Sequence, residues 1–136
     1  MSSARPDNLL FVKSYSSLDA GGVPAGKFVL LSKGKALHLV LSPLELTPYH
    51  ANIVYQYLEA EGRGRVEAEG KTACRILSPD WTPQGGGYYE VDSASRLLRL
   101  YGKSTLFGKY RSGLLIPFMR EVPARLGLPE FTLGLE

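Results

Sequence analysis

Short apolar runs alternate with polar and glycine-containing connections along much of this chain, a pattern typical of β-strands joined by turns. The polar tetrapeptide Ser32-Lys33-Gly34-Lys35 separates two of these runs and predicts a hairpin. The turn-like segment 92–95 predicts a second antiparallel pair. The runs that predict strands are residues 9–12, 27–31, 36–41, 72–77, 88–91, 96–101 and 130–135.

Two segments instead repeat apolar positions at helical spacing. Residues 47–61 carry His50, Ile53, Val54, Tyr57 and Leu58 on one stripe, and Gly62 follows as a helix stop. Residues 109–126 present a second apolar face, in which Pro117 and Pro123 are expected to bend the helix or divide it.

The remaining segments are predicted to connect these elements. Residues 1–7 form a loose lead-in, and residues 19–26, 62–70 and 78–84 are polar or turn-rich connections. The whole order predicts an α+β fold, in which two main helices pack on a mixed, largely antiparallel sheet of about six strands. A chain of 136 residues with 44% apolar content fits a single domain over residues 1–136.

His50 is the residue whose predicted position suggests chemistry. Thr47 is a good N-cap and Pro48 suits the first helical position, so His50 is expected to be the third helical residue. The positive end of the helix dipole favours neutral imidazole there, which is the basic and nucleophilic form. From the residues alone, a histidine of the core or of the helix start remains an equal alternative.

Composition narrows the classes of function. Sixteen Lys and Arg residues against thirteen Asp and Glu residues give a net charge of +3, which is spread along the chain. This mildly favours an anionic partner, but it is not the clustered basic patch of a nucleic-acid-binding protein. Cys74 is the single cysteine, so an intrachain disulfide is excluded, and we expect Cys74 in the core. No long apolar run predicts a membrane span or a secretory leader, and we expect a cytoplasmic protein.

Four separated pieces of the sequence, taken in order, resemble the phosphohistidine phosphatase and Janus/Ocnus family. They are Gly26-Lys27-Phe28-Val29-Leu30-Leu31, Tyr49-His50-Ala51-Asn52-Ile53, the triple glycine Gly85-Gly86-Gly87, and Tyr101-Gly102-Lys103-Ser104-Thr105-Leu106-Phe107-Gly108. The family's versions of the second and fourth pieces are Tyr-His-Ala-Asp-Ile and Tyr-Gly-Tyr-Ser-x-x-Tyr-Gly. The resemblance spans roughly residues 26–135.

The resemblance implies a metal-independent and cofactor-independent phosphatase acting on phosphohistidine or phospholysine. Its central histidine matches His50, its lysine matches Lys27 and its anion-binding serine matches Ser104. A phosphoryl group also needs backbone N–H donors, and the turn from Ser104 to Lys109 has the form that supplies them. We therefore expect catalysis by His50 and phosphate binding by Lys27, Lys103, Ser104, Gly108 and Lys109, with no metal ligands. Lys27 at a strand end and Ser104 in a turn also have plain structural explanations.

The chain departs from the family pattern at two places. The family commonly has an arginine after the triple glycine, where this chain has Tyr88, and basic residues before the catalytic helix, where this chain has Ser42-Pro43-Leu44-Glu45-Leu46. Lys103 and Lys109 are candidates to compensate. These losses favour an alternative, a non-enzymatic module of the same fold that binds a phosphorylated protein or a small anionic ligand. With either function we expect a monomer. A nucleic-acid partner is a third and weaker interpretation.

Overall fold

The computed structural model describes residues 9–18 and 24–136, and it is an α+β fold. A curled six-stranded sheet has the order β1-β3-β2-β6-β7-β8, and β4 and β5 form a separate two-stranded sheet. The outer pairs β1/β3 and β7/β8 are parallel, while the other pairs are antiparallel. The strands are β1 Leu10–Ser14, β2 Ala25–Lys33, β3 Ala36–Pro43, β4 Val66–Glu69, β5 Ala73–Ile76, β6 Trp81–Asp92, β7 Leu97–Tyr101 and β8 Thr132–Leu135.

The predicted fold class is therefore confirmed, and so are both predicted hairpins. The loose lead-in expected at 1–7, and residues 19–23 of the loop expected at 19–26, lie outside the described residues. Within the described residues, no helix is both long and apolar enough to cross a membrane.

The first helix starts later than the sequence predicts. Its α-helical part, α1, runs over His50–Val54 and continues as a π-helix over Tyr55–Ala60. Thr47 is not the N-cap, because its N–H and its hydroxyl both donate to the carbonyl oxygen of Pro43 in the preceding turn. His50 is therefore the first helical residue and not the third.

The second predicted helix is broken into short pieces. Residues 109–126 contain two 3₁₀ turns, Ser112–Leu114 and Ile116–Phe118, and then α2 at Glu121–Arg125. Pro117 and Pro123 lie in the first turns of their pieces, where a missing N–H costs no intrahelical hydrogen bond. The expected division by these prolines is confirmed.

Two segments predicted as connections contain strands. β4 lies inside the polar stretch 62–70, and β6 starts at Trp81, inside the stretch 78–84 that was expected to be a loop. Trp81 is buried and pairs with Lys33 of β2. Pro83 is accommodated because the register between β2 and β6 shifts between Val29 and Leu31, as at a β-bulge.

The sheet separates two apolar layers. Alternate residues of β2 lie in different layers, Phe28 and Leu30 in one, Val29 and Leu31 in the other. The first layer includes Leu115 and Val122 of the carboxyl-terminal helical pieces. The second includes residues of α1 and of the β4–β5 hairpin, with Cys74 buried among them as expected. The layer formed by α1 and the hairpin positions the candidate site.

Candidate active site

A cavity of about 420 Å³ brings together three residues that are far apart in the sequence. Lys27 comes from β2, His50 from the start of α1, and Ser104 from the loop after β7. Its volume suits a small ligand. The cavity is lined by Lys27, Tyr49, His50, Thr72, Ala73, Tyr88, Ser104, Thr105 and Leu106.

His50 is held by one backbone hydrogen bond that fixes its tautomer. Its Nε2 lies 2.9 Å from the carbonyl oxygen of Gly87, and the side chain is only 6% exposed. A carbonyl oxygen can only accept, so Nε2 carries the proton and donates it to Gly87. In the neutral ring the lone pair is therefore on Nδ1, which has no hydrogen-bond partner among the described residues.

The environment favours the neutral ring of His50. Burial is the largest cause that lowers its pKa from the ordinary value of 6.5, and the positive charge of Lys27 lowers it further. The hydrogen bond to Gly87 opposes these effects, because it stabilises the protonated ring. The lowered pKa agrees with the sequence prediction, although desolvation rather than the helix dipole is its largest cause.

Gly86 allows His50 and Ser104 to approach the same strand. A Cβ atom on Gly86 would lie 3.0 Å from His50 Cδ2, 3.3 Å from Ser104 Cβ and 2.7 Å from the carbonyl oxygen of Phe28. No side chain fits there without displacing one of them. The triple glycine thus serves close packing around the site, and Gly85, with φ of +102°, also requires glycine for its backbone conformation.

Lys27 is placed between two aromatic rings and against the chain that precedes α1. Its Nζ donates to the carbonyl oxygen of Pro48 at 2.7 Å and lies 5.5 Å from the ring centroid of Tyr49 and 5.7 Å from that of Tyr88. An ammonium group has three donors, so two remain after the bond to Pro48. Lys27 can therefore both position the helix start and bind an anion.

Ser104 opens a closed five-residue loop. The N–H of Gly108 donates to the Ser104 carbonyl oxygen at 2.8 Å, and the Ser104 N–H donates to the Gly108 carbonyl oxygen at 3.1 Å. The Ser104 hydroxyl accepts from the N–H of Phe107 at 3.0 Å, which leaves its own proton available to a ligand. The N–H groups of Thr105 and Leu106 have no acceptor within the described part of the chain. The residues of this loop that line the cavity thus carry two unpaired backbone donors and a hydroxyl.

The other predicted phosphate-binding residues do not line this cavity. Gly108 closes the loop with φ of +81°. Lys103 is exposed, and Lys109 donates to the Glu136 carbonyl oxygen at 2.9 Å. Among the described residues, Lys27 is thus the one lysine or arginine that lines the cavity.

Tyr88 occupies a wall of the cavity. Its ring packs edge-on against His50, with centroids 6.0 Å apart, and stacks on Tyr101 at 5.8 Å. At the position where the resembled family commonly has arginine, this chain therefore places a ring beside the histidine and the lysine.

Sequence reasoning missed the wall supplied by the β4–β5 hairpin. Thr72 and Ala73 line the cavity at the start of β5. Asn52 of α1 connects the hairpin to the helix, because its Nδ2 donates to the carbonyl oxygen of Lys71 at 3.3 Å. The available signal was the Thr72–Leu77 strand, but nothing in the sequence identified its partner strand.

His38 is not part of this site. It lies on β3, 7% exposed, with Nδ1 2.6 Å from the Tyr57 hydroxyl. Burial is the main cause that lowers its pKa to about 4, followed by the charges of Arg63 and Lys33. Within residues 9–18 and 24–136, no group of three or more His, Cys, Asp or Glu side chains is arranged to hold a metal ion.

Comparison with known proteins adds no assignment. No protein family model matches the chain, and no curated protein is similar enough to count as a relative.

Proposed function

We propose that this protein is a metal-independent phosphatase that cleaves the P–N bond of phosphohistidine or phospholysine, in a protein or in a small molecule. His50 is its nucleophile or general base, and Lys27 and Ser104 bind the phosphoryl oxygens. In this proposal it acts as a cytoplasmic monomer without a cofactor. The observation that carries the proposal is the convergence of Lys27, His50 and Ser104 on one cavity.

The cavity suits a phosphoryl group for a second reason, which is the number and variety of the hydrogen-bond donors on its lining residues. The spare N–H groups of Lys27, the Ser104 hydroxyl, and the backbone N–H groups of Thr105 and Leu106 are all on lining residues. Charge that spreads over three phosphoryl oxygens in the transition state is stabilised by such a set of fixed donors.

Two balanced routes are available to His50. In the first, Nδ1 attacks phosphorus, the P–N bond to the substrate breaks, and the leaving nitrogen takes a proton from water. Water then cleaves the phosphohistidine formed on His50 and releases inorganic phosphate. In the second, Nδ1 removes a proton from a water molecule that attacks phosphorus directly, the P–N bond breaks, and His50 then gives this proton to the leaving nitrogen. In both routes His50 becomes cationic, and its Nε2–H bond to Gly87 supports that charge.

The experiment is to measure phosphate release from phosphohistidine, free and on a protein, both with and without a chelator. The parent is compared with His50→Ala and Lys27→Met, and Lys103→Met serves as a matched lysine control outside the cavity. We expect turnover by the parent and by Lys103→Met, loss of turnover in His50→Ala, and a reduced rate in Lys27→Met. Turnover that persists in folded His50→Ala, or that the chelator abolishes, contradicts the proposal.

One observation favours a second candidate function, a non-enzymatic module that binds phosphorylated or anionic ligands. Tyr88 lines the cavity where the resembled family commonly has arginine, so Lys27 is the one lysine or arginine in the described part of the cavity. A module of this kind binds phosphate without turning over phosphohistidine. Parent protein that binds phosphate, has no turnover, and retains binding in His50→Ala would establish the module.

A further inference from the structure

A second cavity, at another end of the sheet, combines aromatic rings with basic side chains. Its volume is about 530 Å³, and it shares no lining residue with the cavity around His50. It lies where the ends of β1, β2, β3 and β6 meet the segment after the π-helix. The cavity is lined by Leu9, Phe11, Lys33, Lys35, Ala36, His38, Gly62, Arg63 and Trp81.

The rings of this cavity form a continuous aromatic group. Phe11 pairs with His38 across β1 and β3, and their rings stack at 4.5 Å with an interplanar angle of 13°. Trp81 packs edge-on against His38 at 4.6 Å. Phe11 is 44% exposed although it lies in this stack. A planar ligand ring can therefore pack against Phe11 at the mouth of the cavity.

The charged lining residues are all basic. Lys33 and Arg63 are partly balanced by Asp80 and Glu61, which do not line the cavity. Lys35 has no carboxylate partner among the described residues, so its charge is available to an incoming anion. Asp80 is 3.7 Å from Lys33 and both side chains are about half exposed, so this ion pair is weak and can be exchanged for a ligand.

His38 adds a polar group with one ring nitrogen available. Nδ1 is bonded to the Tyr57 hydroxyl, and Nε2 has no hydrogen-bond partner in the described part of the chain. When Tyr57 donates to Nδ1, Nε2 carries the ring proton and can donate to a ligand. The site thus offers a stacking surface, a directional polar group and an excess of positive charge.

We propose that the cavity formed by Phe11, His38, Trp81, Lys33, Lys35 and Arg63 is a second ligand site, which binds a planar aromatic anion of about mononucleotide size. The volume is within the range of small-molecule sites, about 300–1,000 Å³. Aromatic stacking supplies the preference for a ring, and the lysines supply the preference for negative charge. This site does not depend on the proposed phosphatase activity.

The chain has two histidines, and each lines a different cavity, so their imidazole resonances report binding at the two cavities separately. AMP is titrated into the protein while the imidazole resonances of His38 and His50 and the fluorescence of Trp81, the single tryptophan, are followed. Adenosine and inorganic phosphate are the two controls, since each has only half of the required chemistry. We expect AMP to shift His38 and quench Trp81 saturably, and each control to bind at least about fivefold more weakly.

Variants assign the binding to this cavity. Phe11→Ala is expected to weaken AMP binding by at least about fivefold through lost stacking, and Lys35→Ala by about threefold to fivefold through lost charge. Both residues lie at exposed positions, so the fold should be retained, and the thermal transition verifies this. Lys27→Met, in the other cavity, should leave the His38 response unchanged. The proposal is overturned if AMP up to about 10 mM moves neither His38 nor Trp81, or moves only His50.

Discussion

His50 donates its Nε2–H to the carbonyl oxygen of Gly87, and this bond links the start of the first helix to the centre of the longest strand. The carbonyl fixes the tautomer and leaves Nδ1 as the basic atom. Because Gly86 has no side chain, the ring lies directly against β6. The reactivity proposed for His50 therefore depends on backbone geometry supplied by the triple glycine.

The first prediction concerns the protonation of His50. Burial and Lys27 lower its pKa, so we expect an imidazole titration midpoint below 6.5, and nitrogen shifts that place the proton of the neutral ring on Nε2. Lys27→Met removes one lowering effect and should raise the midpoint, while Lys103→Met should not. NMR titration measures both the midpoint and the nitrogen shifts. A midpoint above 6.5 in the parent, or a neutral ring protonated on Nδ1, would contradict this assignment.

The lowered pKa of His50 also determines how activity changes with pH. Nδ1 acts only in the neutral ring, so kcat/KM should fall as the pH falls through the pKa of His50. Because that pKa is depressed, the acid limb should lie below pH 6.5 in the parent. In Lys27→Met it should move to higher pH, even though the remaining rate is lower. An acid limb that is unchanged in that variant would exclude His50 as the titrating group.

The second prediction concerns Gly86→Ala. The added Cβ would meet His50 Cδ2, Ser104 Cβ and the Phe28 carbonyl oxygen at 3.3 Å or less, and the backbone oxygen cannot move freely. We expect a loss of about 1–3 kcal/mol in the free energy of unfolding, with a loss of turnover and of phosphate affinity. Urea denaturation and phosphate binding measure these effects. Gly113→Ala is the control, because no atom lies within 4 Å of its added Cβ and its φ is not positive.

The sequence predicted the strands best where apolar runs cross the middle of the sheet. β2 and β3 are buried on both faces, so their apolar residues run almost continuously and are easily recognised. β4 was missed because Val66 is its one buried residue, and the other three are exposed. A strand that contributes a single core residue has no alternating pattern to detect.

The start of α1 was predicted wrongly for a tertiary reason. Thr47 and Pro48 form a good helix start locally, but the turn after β3 brings the Pro43 carbonyl oxygen to the Thr47 N–H and hydroxyl. Asn52 then accepts from the Tyr49 N–H at 3.1 Å, which sets the start at His50. His50 was still identified as the central candidate, while the wall formed by Thr72 could not be predicted without the pairing of β4 and β5.

The third prediction uses His38 as a source of pH-dependent stability. Its folded pKa of about 4 lies below the ordinary 6.5, so the unfolded chain binds more protons between these values and stability falls as the pH falls through that range. Between pH 7.5 and 5 we expect His38 to account for a loss of about 2 kcal/mol in the free energy of unfolding. Glutamine in His38→Gln can still form a hydrogen bond with Tyr57 but does not titrate. The variant should therefore lose less free energy of unfolding between pH 7.5 and 5 than the parent. Urea denaturation at both pH values tests this, and equal losses would contradict it.

The fourth prediction separates the two hydrogen bonds of Asn52. Its Oδ1 accepts from the Tyr49 N–H at the helix start, and its Nδ2 donates to the Lys71 carbonyl oxygen of the hairpin. Asn52→Asp keeps the first acceptor and places negative charge at the helix start, but it replaces the second donor with an oxygen that repels the carbonyl oxygen of Lys71. We expect a change of less than about 1 kcal/mol in the free energy of unfolding, because the favourable charge at the helix start opposes the loss of the hydrogen bond to the hairpin.

The effect of Asn52→Asp should instead be local to the hairpin that carries Thr72 and Ala73. Amide hydrogen exchange over 66–76 should become faster, because the link from α1 to the hairpin is lost. Asn52→Ala removes both bonds and should cost about 1–2 kcal/mol in addition to the faster exchange. If exchange over 66–76 is unchanged in both variants, then Asn52 does not hold this wall of the cavity. In that case the packing of Val66 and Cys74 in the apolar layer of α1 positions the hairpin.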